Sequence, residues 1–299
     1  LRSHGPHAIQ PNSHAGDAVP RGFGRDAHEE TPSARHVDVL GHIVPRHASA
    51  DRQYGGGGFR QLIDADGCQF DRIAHGYDRA NRWMSFGTDI RWRRKAVAEL
   101  VPADAVAPTH VLDLCAGTLD STLEIHRQYP EARITAGDFA AEMLEHGRGK
   151  LDGEAKRLID PQQMDAHDLP LEDGTVDAVF CAFGVRNLAD LPRATAEQHR
   201  CLRAGGRLVV LEFFRPDRAI PRAMHALYNR TILPLVGWAA TGDLEAYQYL
   251  PRSIGRFETV DAYARLLESK GFTDVRVRSL TFGMAWVVCA TAGDNGGVA

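Results

Sequence analysis

The chain has 299 residues, 43% of them hydrophobic and 25% charged, with a formal net charge of −4. That length allows a large core in one or two domains, and the balance is that of a soluble globular protein. The slight acidic excess leaves no electrostatic footprint for nucleic acid, which is not an expected partner. Five cysteines (Cys68, Cys115, Cys181, Cys201, Cys289) are odd in number and scattered, which points to reduced thiols in a cytoplasmic compartment rather than a disulfide framework.

No apolar run approaches the roughly 20 residues that span a bilayer. The longest candidate, Thr231 to Ala240, is interrupted by Pro234 and Gly237. The N-terminus has no basic region followed by an apolar stretch, so no secretory signal is expected, and four acids between Asp17 and Glu30 argue against a transit peptide. Leu1 in place of Met reads as the start of a fragment or as a non-AUG start translated literally.

Residues 1–66 are expected to be a disordered tail. Half of the 14 histidines fall before position 50, and scattered Pro, Arg and Ser precede the run Gly55 to Gly58. Such a composition buries too little surface to offset chain entropy. The histidines lie singly at irregular spacings, so no metal site is expected.

The ordered domain should occupy 67–299. Phe70, Ile73, Ala74 and Tyr77 recur at helical spacing, Asn81 to Phe86 is a helix or turn ending at Gly87, and Asp89 to Leu100 is an amphipathic helix. The basic run of that helix, Arg91 to Lys95, reads as a solvated face, with attraction to anionic lipid headgroups as the functional alternative. Strands are then placed at His110–Leu114, Arg133–Ala136, Arg157–Gln163 (weakly marked), Val176–Phe183, Gly206–Phe214, Asp274–Leu280 and Met284–Thr291. Helices are placed at Leu119–Gln128, Ala140–Leu151, Leu191–Leu202 and Thr259–Lys270. This alternation predicts an α/β fold, a doubly wound seven-stranded mostly parallel sheet. The last two strands are joined by too few residues for a crossover, so they pair antiparallel. Residues of about 215–257 interrupt the alternation as a cap insertion able to roof a pocket.

Two stretches carry the chemistry. His110 to Leu114 is an apolar strand that stops at Cys115-Ala116-Gly117 and leads directly into a helix, so backbone N–H groups and a helix N-terminus meet at its end. Asp138 closes the next strand 21 residues after Gly117. An acid at that distance suits a ribose hydroxyl pair, so the pattern points to a nucleoside-bearing cofactor. A helix-capping role at Ala140 is the plainer reading of Asp138. A nicotinamide oxidoreductase shares this geometry but wants G-x-G-x-x-G, which Gly117 does not begin.

Several blocks resemble the ubiquinone/menaquinone biosynthesis C-methyltransferase family, class I enzymes that use S-adenosyl-L-methionine. They are Phe70-Asp71-Arg72-Ile73-Ala74 with Tyr77-Asp78 and Asn81; Ser85-Phe86-Gly87; Leu112-Asp113 with Gly117-Thr118 and Asp120; and Phe183-Gly184-Val185-Arg186-Asn187. Leu202 to Arg207 through Leu211-Glu212-Phe213, then Tyr247-Gln248-Tyr249-Leu250 with Ser253-Ile254, and finally Gly271-Phe272 complete the likeness, which runs from about Phe70 to Thr291. The resemblance implies a Rossmann-like methyltransferase fold. It implies that Gly117 and Thr118 lie against the methionine part of the cofactor, that Asp138 holds the ribose, and that Asp165 and Ala166, ending the third strand, meet the adenine. The plainer reading of Asp165 is a turn residue before His167-Asp168. Two positions depart from the family pattern. Leu119 stands where the family has glycine; a place in the first helical turn, side chain inward, is expected to accommodate it. Ala182 stands where the family has serine, which removes one hydroxyl near the cofactor.

The reaction implied is C-methylation of a prenylated quinol, with demethylmenaquinol favoured over a benzoquinol precursor of ubiquinone. Tyr77, Arg186 and Asn187 would lie at the ring, Arg186 as clamp on the phenolate. An arginine is a poor proton acceptor, so a water held by these three would relay the proton, with His225 and Asp190 in reserve as bases. Arg186 as a surface arginine at a helix start is the alternative, and an unfavourable one for the helix dipole. Leu227, Tyr228, Ile232, Leu233, Leu235, Val236 and Trp238 supply an apolar surface for the prenyl tail. A lipid-like substrate would bring the enzyme to the inner face of a membrane without spanning it. An inactive cofactor-binding scaffold of a quinone-synthesis complex, or a methyltransferase of another small phenolic or lipid substrate, are the alternatives. Self-association as a homo-oligomer is left open.

Overall fold

The computed structural model describes residues 82, 85, 87–101, 106–217, 222, 223, 227, 231 and 251–294. The tail at 1–66, Tyr77, His225 and most of the cap insertion lie outside the described residues. Arg82 and Ser85 are helical, and that turn closes where the Gly87 N–H donates to the Arg82 carbonyl at 2.8 Å, with Gly87 at φ 71°. Helix α1 (Thr88–Val97) follows and tightens into a 3-10 turn over Ala98–Leu100.

The alternation then runs β1 (His110–Leu114), α2 (Asp120–Gln128), β2 (Arg133–Asp138), α3 (Ala141–Arg148), α4 (Ala155–Leu158), β3 (Ile159–Gln163), β4 (Val176–Ala182), α5 (Leu191–Cys201), β5 (Leu202–Glu212), α6 (Val260–Ser269), β6 (Phe272–Leu280) and β7 (Ala285–Ala292). One seven-stranded sheet results, in the order β3-β2-β1-β4-β5-β7-β6. The neighbouring pairs among β1 to β5 are parallel, whereas β7 pairs antiparallel with both β5 and β6. Strands of a parallel sheet are covered on both faces, which is why they read as unbroken apolar runs. The period of two sorts their residues. Val111, Val209, Leu211 and Val287 pack on the side of α1, α2 and α3, while Leu112, Leu208, Val210 and Val288 pack on the side of α5 and α6.

Two assigned boundaries shift for visible reasons. Arg157 belongs to the short α4, so β3 begins only at Ile159. β3 is an edge strand, and its Pro161 is tolerated there because an edge leaves one N–H without a ladder partner. β5 starts four residues earlier than its apolar core, at Leu202, across an irregularity in its pairing with β4 between Val176 and Ala178.

Leu119 overturns one expectation. It is not in the first helical turn: it caps α2 with φ 67° and ψ 16°, the left-handed conformation, while its carbonyl accepts the first helical bond from Leu123 at 2.9 Å. Its side chain does turn inward and is fully buried. Room for it comes from Gly147 of α3, where an added Cβ would lie 2.4 Å from Leu119 Cγ. Leu119→Gly therefore sets two effects against each other. Relief of the left-handed backbone is worth about 1–2 kcal/mol, and loss of a buried leucine side chain costs about 2–5 kcal/mol. Burial wins, so Leu119→Gly should lower stability by roughly 1–3 kcal/mol in urea unfolding. An unchanged or raised midpoint would contradict the packing described.

Candidate active site

The loops after β1, β2 and β4 meet at the carboxyl edge of the sheet. Cys115 (φ 59°), Gly117 (φ 52°) and Leu119 turn the chain from β1 into α2 through alternate left-handed residues. The Ala116 N–H donates to the Gly137 carbonyl at 3.0 Å, and the Gly117 N–H donates to Asp138 Oδ2 at 2.8 Å. Asp138 Oδ1 accepts from the Ala140 N–H at 2.9 Å, where α3 starts. Burial pushes the Asp138 carboxyl up from its ordinary range, and N–H groups of Ala140, Gly117 and Phe139 pull it back. The helix-start reading of Asp138 is thus met through Ala140, and the same carboxylate also fixes the loop after β1. Gly137, just before it, has no room for a side chain, since an added Cβ would lie 2.3 Å from Met164 Sδ.

On the other side, Phe183 (φ 59°) bends the chain after β4, and Gly184 packs directly on the first loop. A Cβ at Gly184 would lie 2.3 Å from Cys115 Cβ, so only glycine lets the two loops touch here. Val185–Asn187 then forms a 3-10 turn, and the Asn187 N–H donates to the Gly184 carbonyl at 2.9 Å. Arg186 is no surface arginine. Its side chain is 7% exposed and its Nη1 donates to Glu212 Oε1 at 2.7 Å and to the Phe183 carbonyl at 2.6 Å. Glu212, at the end of β5, is wholly buried and also accepts from the backbone N–H groups of Arg186 (3.3 Å) and Phe213 (2.7 Å). Burial raises the Glu212 carboxyl, and Arg186 with those N–H groups lowers it again, so the pair is held as an ion pair by charge-assisted bonds.

An aromatic cluster backs this pair. Phe183 stacks on Phe213 with ring centres 4.7 Å apart, and Trp92 of α1 meets Phe213 edge-on at 5.9 Å. The expectation of a solvated basic face on α1 holds for Arg91, Arg94 and Lys95 but not for Arg93. Arg93 turns inward, donates to Asp89 and to Ser121 Oγ (3.1 Å), and lies over the Phe183 ring at 5.4 Å. Below the cradle, Asp113 of β1 is fully buried; Thr122 Oγ1 donates to its Oδ2 at 2.5 Å. Its Oδ1 has no hydrogen-bond partner among the described residues. Desolvation raises its carboxyl to about 7.

This arrangement, a glycine cradle at β1, an acid ending β2 and an antiparallel last pair, is that of class I methyltransferases. A model of the ubiE/COQ5 methyltransferase family matches residues 67–292. The chain belongs to the ubiE/COQ5 methyltransferase family. It is 42% identical over 217 residues to the demethylmenaquinone methyltransferase of Thermus thermophilus, covering 72% of this chain and 96% of that one. It is 38% identical over 224 residues to the ubiquinone/menaquinone biosynthesis C-methyltransferase UbiE of a Geobacter species, covering 74% and 94%. Among solved structures, an S-adenosylmethionine-dependent methyltransferase from Thermotoga maritima superposes with a TM-score of 0.52 at 18% identity, over 75% of this chain and 97% of that one. The chain is thus an S-adenosylmethionine-dependent methyltransferase.

In this ubiE/COQ5 family member, strand order sets which expected site residues are neighbours. Gly117 and Arg186 follow β1 and β4, Asp138 and Ala182 end β2 and β4, these three strands are adjacent, and Gly117 and Asp138 are bonded to each other. Thr118 is buried in the same loop. Asp165 and Ala166 lie beyond the end of β3 rather than at it, because β3 stops at Gln163. Asp165 is 51% exposed and makes a turn, accepting from the His167 N–H (2.9 Å) and bonding its ring at 2.6 Å; Ala166 is buried. Asp190, a reserve base, caps α5 by accepting from the Arg193 N–H at 3.0 Å. From the sequence, Glu212 is given no role and Arg93 is placed only in a solvated basic run. Both were legible: Glu212 is a charge closing an apolar strand, and Arg93 shares the helical face of Asp89, Trp92 and Ala96.

Two measurements follow from the buried charges. Truncating one member of the pair strands the other, so Glu212→Ala and Arg186→Ala should each cost about 3–5 kcal/mol in urea unfolding, and the double variant Arg186→Met/Glu212→Leu should recover most of it. A double variant as unstable as the worse single would overturn this. Asp113 binds its proton more tightly folded than unfolded, so stability should fall as pH rises from about 4 to about 7, by about 4 kcal/mol at the upper limit. Asp113→Asn should flatten that slope; an identical slope in the variant would assign it elsewhere.

Proposed function

We propose that this methyltransferase moves a methyl group from S-adenosyl-L-methionine to a ring carbon of a prenylated quinol, demethylmenaquinol before a benzoquinol. The observation that carries the substrate class is the pair of relatives, at 42% and 38% identity, named for demethylmenaquinone and for ubiquinone/menaquinone methylation. The donor set suits the cofactor. A close-approach glycine loop accepts its methionine part at Gly117 and Thr118. Asp138 bonds to three N–H groups and, as a carboxylate with about four lone-pair sites, keeps capacity for a ribose hydroxyl. Asp165 and Ala166 meet the adenine, and Ala182 borders the methyl-bearing end without a hydroxyl. The bound cofactor supplies the electrophilic methyl.

The residues at the ring align the acceptor carbon and stabilise charge on its phenol oxygen. Arg186 serves as clamp, and Glu212 keeps its guanidinium in one position. The pair is close to neutral, so the clamp acts through directed N–H groups more than through net charge. Arg186, with a pKa above about 12, does not take the proton. A water that Arg186, Asn187 and Tyr77 would hold relays the proton out to solvent. The prenyl tail keeps the substrate in a bilayer, so the enzyme works in the cytoplasm in peripheral contact with the inner face of the membrane. Among the described residues no helix is long and apolar enough to cross it.

Calorimetry with S-adenosyl-L-methionine and mass spectrometry of the quinol product test this reading together. Arg186→Lys should lower turnover by at least about tenfold with cofactor affinity unchanged, since a lysine loses the planar fork. Asp138→Asn should weaken cofactor binding by about tenfold or more, the loss of bonds to a charged acceptor. No heat of binding would overturn the cofactor assignment. Binding without turnover on quinols of both ring types would overturn the enzyme reading in favour of a scaffold.

A further inference from the structure

We propose that the outer face of α1, together with the β6–β7 turn, is a docking surface for a membrane carrying anionic headgroups. The inference rests on the quinol reading above, and it names the face that would meet the bilayer. Helix α1 buries Asp89, Trp92, Ala96 and Val97. Its opposite face, Ile90, Arg91, Arg94 and Lys95, is exposed. Trp92 Nε1 donates to Thr281 Oγ1 at 2.9 Å, and the Lys95 carbonyl accepts from Arg278 at 3.4 Å. The first turns of α1 therefore abut the β6–β7 turn, and its last turn runs along β6.

That turn displays an aromatic ring. Thr281, Phe282 and Gly283 are three successive left-handed residues (φ 46°, 57° and 87°), and Phe282 is 76% exposed. A bulky non-glycine residue in that conformation stores strain, and here the strain holds an apolar side chain in water. Ile90, 41% exposed, lies two residues from the Trp92 contact that anchors the turn.

Charge around these two residues is positive in a chain whose total is −4. The acids of the face are each met by an arginine: Glu99 by Arg278 (2.8 Å), Asp274 by Arg276 (2.9 Å) and Glu124 by Arg127 (2.5 Å). Arg94 shares Glu124 with Arg127 (3.8 Å), and Arg91 and Lys95 add charge beyond those pairs. Apolar side chains flanked by long cationic ones form an interfacial surface: the rings enter the headgroup boundary while the cations stay at the phosphates. The position also serves the site. The inner face of the same helix touches Phe183 and Phe213 beside the Arg186–Glu212 pair, so a docked helix, about 10 Å thick, sets the site one helix diameter from the lipid.

Flotation of the full chain with vesicles of phosphatidylcholine alone, or with added phosphatidylglycerol, tests the surface. Binding should require phosphatidylglycerol and be lost in high salt. Arg91→Gln/Lys95→Gln should weaken it by about thirtyfold, the loss of two cations near an anionic surface. Phe282→Asn, which suits a left-handed backbone, should weaken it without loss of fold. Turnover on a short-tailed, water-dispersed demethylmenaquinol should be the same in all variants, while turnover on a long-tailed one in vesicles should fall with binding. Equal flotation of wild type and variants, or none at all, would overturn the proposal. So would a dimer in sedimentation velocity that Phe282→Asn dissolves while vesicles go unbound. Wild type that floats but never methylates the short-tailed quinol would refute the substrate reading and leave the docking surface standing.

Discussion

One carboxylate ties the cofactor edge of this protein together. Asp138 receives N–H groups from the loop after β1 and from the start of α3, so two strand ends and a helix share a single anchor. Neighbouring elements nest around it through contacts too close for a side chain. Gly137 lies against Met164, Gly184 against Cys115, and Gly147 against Leu119. Each is a place where one backbone approaches another element more closely than a Cβ allows, which is how a parallel sheet can bring loops from several strands within reach of one small ligand.

The electrostatics of the edge follow from burial. Asp113 and Glu212 both lose hydration, and the fold answers differently in each case. Glu212 is given a guanidinium and two N–H groups and stays in an ion pair, whereas Asp113 has one hydroxyl from Thr122 and shifts its titration towards neutrality. A buried charge persists only where enough donors converge, and the two strands differ in just that respect.

How much of this was readable in the residues varied with the kind of signal. β1 and the acid ending β2 stood out because apolar runs bounded by small residues have few alternative readings. β3 was weak because an edge strand with a proline needs little of the pattern that marks a central strand. Leu119 misled because its backbone is set by the loop, while its side chain follows packing; the inward direction was legible and the left-handed φ was not. Arg93 misled in the opposite way. Its neighbours in sequence are exposed, yet helical periodicity puts it on the buried face, where Asp89 compensates its charge. Arg186 and Asn187 were found through a motif, but the partner that holds Arg186 lies 26 residues on, across a strand pairing that only the folded sheet reveals.

Both margins of the sheet are shielded against growth. On one side β3 carries Pro161, which offers no N–H to an incoming strand. On the other, β6 alternates Asp274, Arg276 and Arg278, charges that a stacked neighbour would have to desolvate. Two copies therefore have no inviting way to join their sheets into one continuous β structure. Among the described residues, the exposed strand margins are therefore poor templates for edge-to-edge pairing.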